Sequence, residues 1–271
     1  MKKKLNVKWC VYLLDTYAFN YYTKNKKRAY SEEKELLKSC DLAIVTDLIY
    51  KDYEDNSLVS FLHKVKTLEF PNIQEISYNE SIKSVCIDRN KINCAFIGSL
   101  YPEIRNPEFL FNIISSIDND KIKHTIAGKI YGTKEAVGIN EEIEKKIDFL
   151  GQVDIKLAVN LMLDADILIN IGNTVPNQMP SKIFDYISTG KPIINVCKIR
   201  NCPTLKYLEK YPLCLNIFEE DGMNKDVTNK FEAFCIENKG KMVSYETIER
   251  IYHDCTCDAV ANKFVKYLEG Y

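Results

Sequence analysis

Histidine is scarce in this sequence: three in 271 residues, at His63, His124 and His253. The ten cysteines are scattered from Cys10 to Cys257 and include no Cys-x-x-Cys. The ligand spacing of a structural zinc site is therefore missing, and so is the density of a disulfide scaffold. Reduced, mostly buried thiols in a cytoplasm are the reading that remains. An excess of charge is lacking too. Thirty-seven Lys plus Arg stand against 38 Asp plus Glu, a formal charge of −1. Nothing global attracts nucleic acid, and any anion site must be local.

No run approaches the roughly 18 apolar residues of a membrane span. The opening MKKKLNVKWCVYLL places three lysines before an apolar run, but Asp15 interrupts it and no small-residue cleavage site follows. It reads as a buried strand and not as a signal peptide. The stretch AGKIYG at 127–132 lacks the glycine spacing of the dinucleotide fingerprint and its following acid, which argues against a nicotinamide or flavin enzyme.

What is present is a soluble globular balance, 46% hydrophobic and 28% charged, long enough for one large or two ordinary domains. Val7 to Leu14 is the first strand candidate. Ser31 is placed to cap a helix in SEEKELLKSC, and Ala43 to Val45 follows as a short buried strand. After a polar connection near residues 77 to 91, strands and helices alternate. Strand Cys94–Ile97 leads to helix Pro107–Ile117, strand Lys123–Ala127, strand Ile147–Leu150, helix Lys156–Leu163 and strand Ile167–Ile171. A helix from Pro180 or Ser181 to Gly190 and a strand Pro192–Cys197 complete the series. This alternation predicts an α/β fold with a parallel sheet covered on both faces. Ligands bind beyond the carboxyl ends of such strands, where Gly98, Gly128 and the 172–181 loop lie. An internal echo, ELLKSCDLAIVTD against NLMLDADILINIG, suggests that the first unit is built on related lines, with room for about two strands.

Gly98 and Gly128 can be ordinary turn residues, or they can let a phosphate approach backbone N–H groups. The Asp-x-Asp pairs at Asp118/Asp120 and Asp164/Asp166 match a metal-holding pattern. They stand before strands or after a helix, however, so they read as solvated turns. Lys182 and Asp185 open the helix after the 172–181 loop. As an ion pair, lysine ahead of aspartate is the weaker orientation, and a lysine in the first turn opposes the helix dipole. A docked anion such as a diphosphate would explain Lys182, and ribose hydroxyls would explain Asp185.

From Cys94 onward the chain resembles the donor-binding half of GT-B glycosyltransferases of the retaining family 4 type. The resemblance rests on FIGSLYPEIRNPEFL, FLGQVDIKLAVNLMLDADILINIGN and MPSKIFDYISTGKPII, in that order and over about 180 residues. It implies a GT-B fold with domains at 1–90 (a partial acceptor side), 91–244 (the nucleotide-sugar side) and a helix at 245–271 returning to the first. The family's two acids, with seven residues between them, fall on Asn177 and Asp185, so the first is replaced by an amide. Its Arg and Lys pair falls on Ser99 and Arg105, of which only Arg105 keeps the charge, with Lys182 in compensation. The resemblance assigns Gly98 to the phosphates, Val153 to the base and Asp185 to the ribose, places Ser99, Gly128 and Ser181 with them in donor binding, and gives catalysis to Arg105, Lys182 and Asn177. On the acceptor side it matches Asp15.

The implied activity is retaining transfer of a sugar from a nucleoside diphosphate sugar, UDP ahead of GDP, to an acceptor hydroxyl. No metal or other cofactor is implied. The partners are the donor and a carbohydrate or lipid-linked acceptor, with no nucleic acid. The protein would be cytoplasmic, with at most peripheral contact at the inner membrane face, and would serve surface polysaccharide or glycan synthesis. The alternative is a non-catalytic nucleotide-sugar binder or a subunit completed by another chain. The first strands of the acceptor domain are not found, so a late start is expected. A response-regulator-like domain lacks its acidic cluster.

Overall fold

The computed structural model describes residues 7–80 and 87–270. The first residues of the opening stretch, Cys86 and part of the polar connection expected at 77–91 fall outside them. The chain forms two compact units. One comprises residues up to Ile73 together with Tyr252 onward; the other runs from Gln74 to Ile251. The sequence reading places these divisions at 90/91 and 244/245.

In the first unit, β1 (Cys10–Leu13), helix α1 (Lys26–Ser39), β2 (Leu42–Val45), helix α2 (Asp47–Glu54) and β3 (Val65–Thr67) follow in order. The strands form a parallel sheet in the order β1-β2-β3. In β2, Ala43 and Val45 face Leu37, Ile49 and Tyr53 of α1 and α2. Leu42 and Ile44 face Val260 and Phe264 of the chain's last helix. Burial on both faces explains why β2 is apolar at every position.

Three expectations need correction here. The strand candidate Val7–Leu14 is not a buried strand: among the described residues β1 pairs with β2 alone, and Trp9, Tyr12 and Leu14 are exposed. Ser31 does not cap its helix. Asn25 does, its side chain accepting from Arg28 N at 3.0 Å, because Ala29, Glu33 and Leu37 already lie at helical spacing on the buried face. A third strand, β3, is present as well, too short to show a period. Buried Glu33 accepts from Tyr17 N at 3.0 Å and from the backbone N–H of Ala18 and the hydroxyl of Tyr53, so its charge is satisfied.

The second unit contains β4 (Ile92–Ile97), α3 (Glu108–Ser116), β5 (Ile122–Ala127), α4 (Glu141–Lys146), β6 (Ile147–Gly151), α5 (Ile155–Asp164), β7 (Ile167–Ile171), α6 (Lys182–Thr189), β8 (Ile193–Cys197), α7 (Leu205–Leu208), β9 (Cys214–Phe218), α8 (Lys225–Asn238) and α9 (Tyr245–Ile251). Its sheet is parallel in the order β6-β5-β4-β7-β8-β9. β4, β7 and β8 are buried at every residue, as strands covered by helices on both faces must be. One face packs on Leu110, Phe111 and Ile114 of α3 and Phe231 of α8. α6 stops at Gly190, whose φ of 75° is left-handed and whose position leaves no room for a Cβ, Val243 O standing 2.3 Å away. The helix expected over Tyr245 to Leu268 is two: after α9, Thr256 Oγ1 accepts from Ala259 N at 3.3 Å and starts α10 (Cys257–Glu269).

His124 in β5 is buried, 5% exposed, with its ring 6.0 Å from that of Phe231. Burial, with Lys146 as a lesser cause, lowers its pKa to about 4. The folded state therefore favours the neutral ring. The associated stability is complete above about pH 6.5 and is lost as pH falls through about 4, a change on the order of 3 kcal/mol. Denaturation of wild type and His124→Phe at pH 7.5 and 4.5 checks this. The variant is expected to lose less stability on acidification, and equal losses would contradict the assignment.

Candidate functional site

The order of strands in the larger sheet reverses at β4. The chain runs outward through β5 and β6, then returns to lay β7 on the other side of β4. A parallel sheet opens a crevice at such a point, beyond the carboxyl ends of its strands. A cavity of about 620 Å³ lies there. Its floor is Ile97, Gly98 and Ser99 after β4 with Ala127 and Gly128 after β5. Val153 and the first turns of α5 form one wall; Lys182 and Asp185 of α6, with residues 74–77, form another.

A second cavity, about 430 Å³, opens at the amino ends of β5 and β6 beside Lys123 and Asp148. Lys123 pairs there with Asp148 at 2.9 Å, and Lys146 Nζ donates to Ser115 O at 2.6 Å and Ile117 O at 3.0 Å, carbonyls at the end of α3. The cavity at the carboxyl ends is the candidate site.

Backbone builds its floor. Gly98 N donates to Ala127 O at 2.9 Å and Gly128 N to Gly151 O at 2.7 Å. Both N–H groups extend the sheet and are already bonded, where the sequence reading offers them to a phosphate. The two glycines contribute the lack of a side chain. At Gly128, with φ of 156°, an added Cβ would lie 1.8 Å from Gly98 O. At Gly98 it would lie 3.1 Å from Phe96 Cζ and 3.7 Å from Arg105 Nη1, which places the guanidinium beside Gly98.

Arg105 closes a turn with Tyr101, its N donating to Tyr101 O at 3.1 Å. Its Nε and Nη2 donate to Asn173 Oδ1 at 3.2 and 3.0 Å, and Asn173 Nδ2 donates onward to Gln178 O at 3.1 Å. Thr174 N donating to Ile104 O at 3.0 Å ties the same two loops together. Arg105 is partly buried, and no carboxylate pairs with it among the described residues. Burial lowers its pKa, partly offset by the Tyr186 and Tyr101 phenols. A desolvated cation held by a neutral amide is electrostatically unbalanced and favours an added anion.

Lys182 Nζ pairs with Asp185 Oδ2 at 3.0 Å, each side chain 38% exposed. The ordinary i,i+3 pair is thus formed, and both partners also line the cavity. At this exposure the pair itself is worth little, so each can turn to a ligand at small cost. Gly98, Ser99, Gly128, Val153, Lys182 and Asp185 therefore come together around one space. Arg105 lies behind Gly98. Asn177 and Ser181 are not among the lining residues. Ser181 is exposed before α6, with no side-chain capping bond, and Asn177 is partly buried in the preceding loop. Asp15 belongs to the other unit, in the turn after β1, where burial raises its pKa.

Sequence reasoning missed Asn173 and Tyr186. Tyr186 is 1% exposed; its hydroxyl accepts from Ile97 N at 2.8 Å and donates to Ile97 O at 3.2 Å. The available signal was a tyrosine among Ile183, Phe184 and Ile187 on the buried face of α6. Residues 74–76, just before the polar connection expected from 77, carry no site signal in the sequence. The Asp-x-Asp pairs lie at the opposite ends of the strands: Asp166 accepts from Asn93 N at 2.8 Å and Asp164 from the Tyr78 hydroxyl at 3.3 Å. Among the described residues no group of His, Cys, Asp or Glu is arranged to hold a metal, and no helix is long and apolar enough to cross a membrane.

No family model matches the sequence, and no curated protein does. Solved structures match it in fold. Anabaena Alr3699/HepE in complex with UDP is similar over 100% of this chain and 74% of that one, at 13% identity and a TM-score of 0.66. Sucrose-phosphate synthase from Thermosynechococcus elongatus is similar over 99% of this chain and 69% of that one, at 13% identity and 0.66. A glycosyltransferase from Rickettsia africae ESF-5 is similar over 99% and 78%, at 12% identity and 0.60. The chain has the α/β fold of these GT-B structures, with its two parallel sheets.

Proposed function

We propose that this chain binds a nucleoside diphosphate sugar in the cavity beyond β4 and β5 and transfers the sugar to an acceptor hydroxyl. The observation that carries this reading is the partly buried Arg105, without a carboxylate partner, behind the bare backbone of Gly98. A diphosphate over Gly98 supplies the missing negative charge. Lys182, in the first turn of α6, supports it from the wall, and Asp185 accepts from ribose hydroxyls. The fold, shared with a protein solved with UDP bound, makes uridine the first base to test.

As the glycosidic bond breaks, negative charge grows on the leaving diphosphate, and fixed cations stabilise that charge more than the ground state. Arg105 is preorganised by Asn173 for this, and Lys182 adds to it. The resemblance read from the sequence extends the proposal to transfer with retention, independent of a metal, onto a carbohydrate or lipid-linked acceptor in glycan or surface polysaccharide synthesis at the cytoplasmic side of a membrane. A second reading, donor binding without transfer, is favoured by Asn177, which replaces an acid and does not line the cavity.

The test is incubation with UDP-, GDP- and ADP-sugars and a panel of glycan and lipid-linked acceptors, with release of nucleoside diphosphate and product both followed. Turnover supports the enzyme; binding without turnover supports the second reading; neither sinks both. Lys182→Ala is expected to weaken UDP binding about three- to tenfold by calorimetry, the range for a half-exposed charge-assisted contact. Unchanged affinity would remove Lys182 from the site.

A further inference from the structure

We infer that Tyr186 is a positioning residue that sets the floor of the cavity by standing in for a strand. This rests on the reading of the cavity as a diphosphate site. β4 pairs with β7 over only two residues, Cys94 with Ile167 and Ala95 with Leu168. On its other side β4 stays paired with β5 as far as Ile97 and Ala127. Past Ala95 the two central strands part, and it is this parting that opens the crevice. Ile97 would be left in the core with an N–H and a C=O facing the gap, a costly state for buried backbone. The Tyr186 hydroxyl answers both, accepting from one at 2.8 Å and donating to the other at 3.2 Å.

A phenol thus fills the place of a β-bridge and holds β4 and β7 apart. Its location gives this consequence for the site. Ile97 is followed directly by Gly98, the bare floor. On the same helix, Tyr186 follows Asp185 and lies one turn beyond Lys182, so one rigid element fixes the wall charges relative to the floor. Tyr186 is also close enough to Arg105 to influence its ionisation. Tyr186 touches no ligand in this scheme; it acts through Ile97, Gly98 and Arg105.

The matched control is Tyr211→Phe. Tyr211 is 4% exposed and its hydroxyl donates to Lys191 O at 2.9 Å, a comparable buried bond at the amino end of β8, away from the cavity. Melting temperature and UDP affinity by calorimetry are measured for wild type, Tyr186→Phe and Tyr211→Phe. Both variants are expected to melt a few degrees lower, and Tyr186→Phe alone to bind UDP about tenfold more weakly. Wild-type affinity in Tyr186→Phe, or equal weakening in both variants, overturns the positioning role and leaves the cavity's assignment standing. A wild type that binds no uridine, guanosine or adenosine diphosphate overturns the assignment and the inference together. Hydrogen exchange on the wild-type protein gives a check that does not depend on a variant folding: the Ile97 amide is expected to exchange slowly, and exchange at the rate of an exposed loop amide would overturn the role.

Discussion

Arg105→Met is expected to abolish measurable nucleoside diphosphate binding while leaving the melting temperature of the free protein within a few degrees of wild type. The two halves of this result have separate causes. A guanidinium facing a diphosphate makes charge-assisted hydrogen bonds worth about 1.5–3 kcal/mol each. Losing two of them weakens binding by roughly two to three orders of magnitude. In the free protein the same group is a partly desolvated cation whose side-chain hydrogen-bond partner among the described residues is the neutral Asn173. Methionine keeps the length of the stem and removes the desolvated charge, but leaves Asn173 Oδ1, in a residue 3% exposed, without its donor. These effects oppose each other at about 1–3 kcal/mol apiece, and in a chain of this size each kcal/mol moves the melting temperature by about 2–4 °C. An arginine retained for stability behaves differently, because deleting one member of a buried pair costs about 3–5 kcal/mol. Calorimetric titration with UDP and a thermal melt, on the same preparation, separate the cases. Wild-type affinity, or a fall in melting temperature of about 10 °C, would show that Arg105 serves the fold and not a ligand.

The larger sheet was largely legible in the sequence because strands covered on both faces are continuous apolar runs bounded by glycines. Ile167–Ile171 matches to the residue and the others to within two. Elements that bury less left less trace. β9 is only partly buried at four of its five positions, and α8 distributes its polar residues too evenly to show a face, so neither stands out in the sequence. Val7–Leu14 reads as a buried strand because hydrophobicity does not distinguish a central strand from an edge strand that leaves a tyrosine exposed. Six of the nine expected site residues line one cavity because strand ends are visible in sequence and the fold class dictates where ligands go. The residues that organise the charge were not visible. Arg105 depends on Asn173, 68 positions away, and Ile97 on Tyr186, 89 positions away. Such pairings are decided by topology and leave no local period. Gly98 and Gly128 both line the cavity, but N–H groups that look free after a strand are taken up by carbonyls of the neighbouring strand.

That correction leads to the largest stability effect expected in the molecule. Gly128→Ala should lower stability by about 3–5 kcal/mol, the range reached by clashes that have no cheap escape, and so lower the melting temperature by roughly 10 °C. The new Cβ would lie 1.8 Å from Gly98 O and 2.4 Å from Gly98 C. Both are backbone atoms of the next strand's loop, so no rotamer change relieves the overlap. The loops after β4 and β5 must separate, and with them the bond from Gly98 N to Ala127 O. Gly151→Ala is the comparison that isolates the cause. Gly151 also has a left-handed φ, 64°, but nothing lies within 4 Å of its Cβ position, so alanine there bears only the conformational cost of about 1–2 kcal/mol. Denaturant titrations of both variants should differ by at least about 2 kcal/mol. Equal losses would mean that backbone conformation, and not contact between the two loops, makes glycine necessary at 128. In a Gly128→Ala protein kept folded by low temperature, UDP binding is expected to fall with the separation of the loops, because the bare floor over Arg105 exists only while Gly98 and Gly128 remain in contact.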